Sequence, residues 1–134
     1  MKWQPSQRGS VSVEAAFLIP IWILLVLGIL EGGRAWFTYN MLTHAVREGA
    51  RLASVRPALE QNDPAVVDRI DAVLAVAGLR ASQAEVRFTP PLRVTRTIRV
   101  SAQVDFRPMV VTLWTKEADF TLPLKARLQT RYEL

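Results

Sequence analysis

Residues 11–30 of the chain read VSVEAAFLIPIWILLVLGIL, a run of 20 residues in which Glu14 is the only charged side chain. An α-helix needs about 20 apolar residues to cross the hydrocarbon core of a bilayer, which is about 30 Å thick. A secretory signal peptide is the competing interpretation, but its apolar core is shorter, about 7–15 residues, and ends in a small-residue cleavage site. The run therefore predicts a membrane anchor. Glu14 is a candidate functional residue because a charge in lipid is unfavourable.

The helical pattern continues beyond the apolar run, with no Gly-Pro punctuation before Pro57. The apolar residues at helical spacing in this part are Phe37, Met41, Ala45, Leu52 and Val55. A helix of this extent would be about 70 Å long, which suits packing against copies of itself. The predicted organisation, in chain order, is a basic leader at 1–9, a long helix at 10–56 with the membrane span at about 11–30, a linker at 57–62 and a small domain at 63–134.

The flanks of the span predict its orientation. Lys2 and Arg8 precede it, and the positive-inside rule places such residues in the cytoplasm. The arginines after the span belong to a predicted domain, and domains cross membranes largely regardless of their charge. We therefore expect a single-pass protein with a cytoplasmic N-terminus and an extracytoplasmic C-terminal domain. Trp36, Phe37 and Tyr39 follow the span, where aromatic rings favour the membrane–water interface.

The C-terminal domain begins with a helix signal. Asp63 is a preferred N-cap residue, Pro64 suits the first helical position, and Gly78 suits the helix end. The predicted apolar face consists of Val66, Val67, Ile70, Val73, Leu74 and Ala77.

Strand signals follow, in which apolar and polar residues alternate. The predicted strands are a short one at Val86 and Phe88, a long one from Leu92 to Phe106 and a last one from Phe120 to Tyr132. Pro123 falls on the opposite phase, so the last strand starts late or lies at a sheet edge. Residues 107–119 fit neither pattern. The predicted fold is α+β, a long N-terminal transmembrane helix continuing into a small C-terminal domain of one helix and about three antiparallel strands.

The composition argues against an enzyme. The 134 residues include no cysteine and one histidine, His44. A lone histidine lacks the partners for a zinc site or a catalytic triad. The sequence also lacks the G-x-x-x-x-G-K, H-E-x-x-H and G-x-S-x-G motifs. We expect no catalytic residues, metal or cofactor.

The net charge of +5 is reflected in a basic face on the predicted strands. Its residues are Arg87, Arg93, Arg96, Arg99, Lys125, Arg127 and Arg131. Nucleic-acid binding would suit this charge, but aromatic stacking residues on the same phase are missing. A solvated face, or attraction to acidic surfaces or anionic lipid head groups, is better supported, and we predict no nucleic-acid partner.

The start of the apolar run, RGSVSVEAAF at residues 8–17, resembles a type IV prepilin processing site. Proteins of that family have a short basic leader that ends in glycine, a cut after it, and a glutamate five residues further on. The resemblance implies cleavage between Gly9 and Ser10. The new ammonium group at Ser10 would need an opposite charge in the membrane, which Glu14 of a neighbouring subunit could supply.

The stretch from Gly9 to Arg56 resembles the N-terminal module of TadE-like pseudopilins from the tight-adherence (Tad/Flp) pilus system. The residues that carry the resemblance are Val13-Glu14, Pro20, Gly28, Glu31-Gly32-Gly33-Arg34, Tyr39-Asn40 and Ala45-Val46-Arg47-Glu48-Gly49-Ala50-Arg51. The resemblance implies the inner membrane as location. It also implies a prepilin peptidase, the major Flp-type pilin, other pseudopilins and inner-membrane platform proteins as partners.

Several of these residues are candidates for helix packing. Pro20 cannot donate to the Ala16 carbonyl, so a kink is expected, which in a pilus-type subunit could help the helix bend into a packed core. Gly28 and Gly32 have the G-x-x-x-G spacing that lets helices approach closely.

Charged candidates lie further along the same helix. Glu31 and Arg34 are one turn apart and could pair within the helix or between subunits. Arg47 and Arg51 flank a small-residue stretch around Gly49, which either packs against the domain or a neighbour or is a solvated face.

Two functions remain open from the sequence, together with a weaker third. The first is a minor pilin-like structural subunit, cut by a prepilin peptidase and used in assembling a Tad/Flp-type pilus for adherence. The alternative is an uncleaved membrane-anchored extracytoplasmic binding module. A cytosolic nucleic-acid binder would require soluble protein with salt-sensitive binding.

Overall fold

The computed structural model describes residues 7–55, 62–89, 96–111 and 120–132. Its elements, in chain order, are α1 (Gln7–Ser54), α2 (Pro64–Val76), β1 (Gln83–Thr89), β2 (Arg96–Phe106) and β3 (Leu122–Tyr132). The predicted α+β fold, a long apolar N-terminal helix followed by a small domain with one helix and three antiparallel strands, is confirmed. The long helix begins at Gln7, three residues before the predicted start.

The three strands form one antiparallel sheet in the order β1-β2-β3. The central strand β2 alternates as predicted, and its buried residues are Ile98, Val100, Ala102, Val104 and Phe106. Strand β3 lies at an edge, where Pro123 is tolerated opposite Asp105. Strand β1 is longer than its two apolar residues predicted, because β2 offers it partners from Thr97 to Gln103. Leu92 and Val94, predicted to begin the long strand, lie outside the described residues.

The C-terminal half of α1 packs against β2, β3 and α2 and supplies one wall of the domain core. Its buried residues are Thr38, Leu42, Ala45, Val46, Gly49, Ala50 and Ala53. Phe37 and Val55, two of the residues at apolar helical spacing, are exposed. Thr38 is buried at little cost because its hydroxyl donates to the Arg34 carbonyl oxygen at 2.9 Å.

Helix α2 begins and ends at the predicted signals. The Asp63 carboxylate accepts the N–H of Ala65 at 3.0 Å, and Pro64 follows at the first helical position. Gly78 has a φ of +69°, and the next N–H, from Leu79, donates to the carbonyl oxygen of Leu74 at 3.0 Å. Glycine suits this position because an L side chain is strained at positive φ.

Candidate functional site

The predicted processing residues lie in the first turns of α1. Gly9 and Ser10 are both helical, and Glu14 follows as an exposed residue. Residues four apart on a helix share a face, with a rise of about 6 Å between them. An amino group at Ser10 would therefore lie on the same side of α1 as the Glu14 carboxylate, one turn away. The structure leaves the cleavage itself a prediction.

The apolar half of α1 does not belong to the hydrophobic core of the domain. Its most apolar 18-residue window is 0% buried, and α1 is long and apolar enough to cross a membrane. The large exposed side chains in this half are Val11, Val13, Phe17, Leu18, Ile19, Ile21, Trp22, Ile23, Leu24, Leu25, Val26, Ile29 and Leu30. The core helix of a soluble domain would bury such residues, so their exposure in a helix near the N-terminus suggests membrane anchoring.

Two glycines at the end of the apolar run have open space where a side chain would be, within the described part of the chain. A Cβ at Gly28 or at Gly32 would meet no atom within 4 Å. Helix α1 continues through Pro20 as one element. The surface along Gly28 and Gly32 is thus open, as a surface for helix–helix packing has to be. Whether it packs against another subunit remains a prediction.

Glu31, at the end of the predicted span, forms hydrogen bonds with the domain. Its Oε1 accepts from Nη1 of Arg34 at 2.8 Å, so of the two predicted alternatives this chain has the intrahelical pair. Its Oε2 accepts the backbone N–H groups of Met109 at 2.8 Å and Val110 at 3.3 Å. These amides begin a helical turn at 109–111.

Arg34 adds a second link at the same level. Its guanidinium carbon lies 5.4 Å from the centroid of the Phe106 ring at the end of β2, within cation–π range. Glu31 and Arg34 together therefore hold the β2 end and the turn after it against α1. Sequence reasoning missed these partners, because local spacing carries no signal for a contact across 78 positions.

A second cluster joins α1 to α2. Glu48 Oε1 accepts from Nη2 of Arg51 and from Nη2 of Arg69, both at 2.9 Å, and Arg69 lies on α2. The hydrogen bond from Arg51, followed by the one from Arg69, lowers the pKa of Glu48 from 4.5 to about 2. The same contact with Glu48 raises the pKa of Arg51. The cluster is charged at neutral pH and links the two helices.

Gly49 lies beside this cluster at the closest approach of α1 and α2. A Cβ there would lie 2.7 Å from Cγ1 and 3.0 Å from Cδ1 of Ile70, and 3.5 Å from Cγ1 of Val66. The small-residue stretch therefore packs against the domain's own helix. The neighbouring Arg47 and Arg51 are exposed at its margins.

The outer face of the sheet is polar and partly basic. Arg87, Arg99, Lys125 and Arg127 are exposed there. Of the other predicted basic residues, Arg96 lies in β2 and Arg131 in β3, at the paired ends of the two strands, and Arg93 lies outside the described residues. The Arg87 guanidinium pairs with the Glu85 carboxylate at 3.0 Å, which offsets part of the charge. An open groove of about 320 Å³ crosses this face. Among the described residues, no three His, Asp or Glu side chains are grouped to hold a metal ion.

Comparisons with known proteins bear on the helix. No curated protein and no solved structure matches the chain. The model of the TadE-like protein family matches residues 9–51. This match starts at the predicted cleavage glycine and ends at the Arg51 of the Glu48 cluster, so it covers the open apolar half and most of the buried half of α1. The resemblance seen in the sequence is thereby confirmed, and over residues 9–51 this chain is similar to the TadE-like protein family.

Proposed function

We propose that the chain is a minor pilin-like structural subunit of a Tad/Flp-type pilus, cut after Gly9 by a prepilin peptidase. The TadE-like match suggests a pilin-like protein associated with the Tad pilus. The observation that carries the proposal is the unburied apolar half of a helix whose other half forms one wall of the domain core. The lipid around such an apolar half can be replaced by other helices without unfolding the domain.

The proposed mechanism is mechanical and involves no catalysis or cofactor. In the inner membrane, lipid covers the apolar half of α1, with the leader in the cytoplasm and the domain outside it. During assembly, helices of the major Flp-type pilin and of other pseudopilins replace the lipid, with inner-membrane platform proteins as further partners. The Glu14 carboxylate then meets the new ammonium group of a neighbouring subunit.

The intact mass of the membrane-extracted chain, with and without its prepilin peptidase, tests the processing step. We expect a peptidase-dependent chain that starts at Ser10. Gly9→Leu should abolish the cut, while Gly28→Ala, a matched glycine replacement in open surroundings on the same helix, should be cut normally. A chain that starts at Met1 under both conditions would contradict the proposal.

The alternative, an uncleaved membrane-anchored extracytoplasmic binding module, is favoured by one feature, the groove on the outer sheet face. Its polar lining includes Glu85, Lys125 and Arg127. Glu14→Ala separates the two functions. Under the proposed function assembly should fail, whereas a binding module should retain its ligand because Glu14 lies on the far half of α1 from the sheet.

A further inference from the structure

The end of the domain nearest the span carries exposed apolar side chains. Met109, Phe120 and Leu122 are 59%, 40% and 44% exposed. Leu122 is paired with Phe106 in the sheet, Met109 follows Phe106 by three residues, and Phe120 precedes Leu122 by two. All three therefore lie within about 10 Å of one strand pair, by the reach of the chain. We refer to them as the span-proximal patch.

Glu31 fixes the level of this patch along α1. It directly follows Leu30, the last residue of the apolar run. Its Oε2 accepts the N–H of Met109 at 2.8 Å. Arg34, one turn further, is in contact with the Phe106 ring. The patch is therefore level with the first turn beyond the span.

The dimensions of a bilayer place this turn among the head groups. Head groups extend a bilayer from about 30 Å to about 40–45 Å, so each head-group layer is about 5–8 Å thick. A helix turn rises about 5.4 Å. If residues 11–30 fill the hydrocarbon core, the turn from Glu31 to Arg34 spans the head-group layer, and the patch lies beside it. Scattered exposed apolar residues need no explanation, but these three occur at the one level where lipid would cover them.

We propose that the span-proximal patch docks on the lipid bilayer, so that the domain lies on the membrane surface beside its own anchor. The proposal rests on the membrane anchoring included in the proposed function. Insertion of Met109, Phe120 and Leu122 buries apolar area in the interface. Arg107, exposed at the same end, provides a cation for lipid phosphates. Docking at a second point fixes the rotation of α1 about its axis, which a lone span does not.

Single-cysteine variants can test the proposal, since the chain has no cysteine of its own. We would attach an environment-sensitive fluorophore at Met109→Cys, at Leu25→Cys in mid-span, and at Val76→Cys. Val76 is 88% exposed at the end of α2 and is the matched surface control. The full chain would be reconstituted in phosphatidylcholine–phosphatidylglycerol liposomes containing lipids with a nitroxide quencher, on the head group or deep in the acyl chain.

The expected result is head-group quenching that is several-fold stronger at 109 than at 76, with acyl-chain quenching strongest at 25. Equal quenching at 109 and 76, with 25 still deep, would overturn the docking proposal and leave the anchor intact. A label at 109 that is shielded from water but unquenched by either lipid would also overturn it, because another protein surface such as a second copy would then cover the patch. Absence of quenching at 25 would remove the anchor and the docking proposal together.

Discussion

The two halves of α1 share one helical backbone but are built for different surroundings. Residues 11–30 present large apolar side chains that stay exposed on the described structure. One face of residues 38–53 is buried against the sheet and α2, and four of its buried positions are Ala or Gly. The comparison shows that size, as much as apolarity, marks the packed half, because small side chains let other elements approach the helix closely. Four experiments test this difference between the two halves.

The largest difference should come from leucines in the two halves. Leu42 is fully buried, whereas Leu25 is half exposed and touches no core residue. Leu42→Ala should lower the free energy of unfolding of the domain by about 2–5 kcal/mol, because it removes packed methyl groups and leaves a cavity. Leu25→Ala should change it by less than about 0.5 kcal/mol. Denaturant unfolding of the micelle-solubilised chain measures both, and equal effects would contradict the division of α1.

Glycines provide a second matched pair. Gly49→Ala should destabilise the domain by about 1–3 kcal/mol through overpacking, because the new Cβ would lie 2.7 Å from Ile70 Cγ1. Gly28→Ala meets open space and should leave the domain unchanged. The double variant Gly49→Ala/Ile70→Ala should be more stable than the sum of the single losses predicts, since the clash disappears with Ile70. Strict additivity in this double-mutant cycle would argue against the close approach.

The junction between the two halves of α1 should open more easily when the Glu31 carboxylate is removed. Its carboxylate is only 16% exposed and accepts two backbone N–H groups. Glu31→Ala should reduce the local free energy of opening by about 1 kcal/mol. Amide hydrogen exchange at Met109 and Val110 should therefore accelerate about fivefold or more. Glu31→Gln keeps one acceptor oxygen and should show a smaller change. Unaltered exchange in both variants would mean that the turn is held by other contacts.

The smallest expected effect is the pH dependence from the Glu48 cluster. Because folding lowers the pKa of Glu48 from 4.5 to about 2, its stabilising contribution is complete above pH 4.5. This contribution should be lost as the pH falls from about 4.5 to about 2. Glu48→Gln should flatten this part of the curve of stability against pH. Glu85→Gln, which removes the carboxylate paired with Arg87 on the same strand, is the matched control. Identical acid curves for Glu48→Gln and the unsubstituted chain would contradict the assignment.

The sequence predicted those elements that depend on interactions between residues close together in the chain. The Asp63-Pro64 cap, the positive φ of Gly78 and the alternation along β2 each depend on residues a few positions apart. Pro123 was equally informative, because a missing donor is acceptable only at an edge or a strand end.

Features that depend on the tertiary arrangement could not be predicted in the same way. Apolar spacing predicted that α1 continues through Phe37 and Val55, but which of its faces is buried is set by where the sheet and α2 lie. That arrangement selects Thr38 and the small residues. The Glu31 contacts join residues 78 and 79 positions apart. The strand bounds also reflect pairing, as the length of β1 follows from its partner β2.

The contacts between α1 and the last strand have a consequence for the order of biosynthesis. The first described element, α1, packs against the last described one, β3, so the core closes only when the chain from α1 to β3 is available. Such distant contacts form late, since loop-closure entropy must be overcome first. Under the proposed function, the emerging domain would thus still be unfolded when its anchor engages the membrane. An unfolded domain is the form that can be threaded across a bilayer, so under the proposed orientation this topology would delay folding until the domain has crossed.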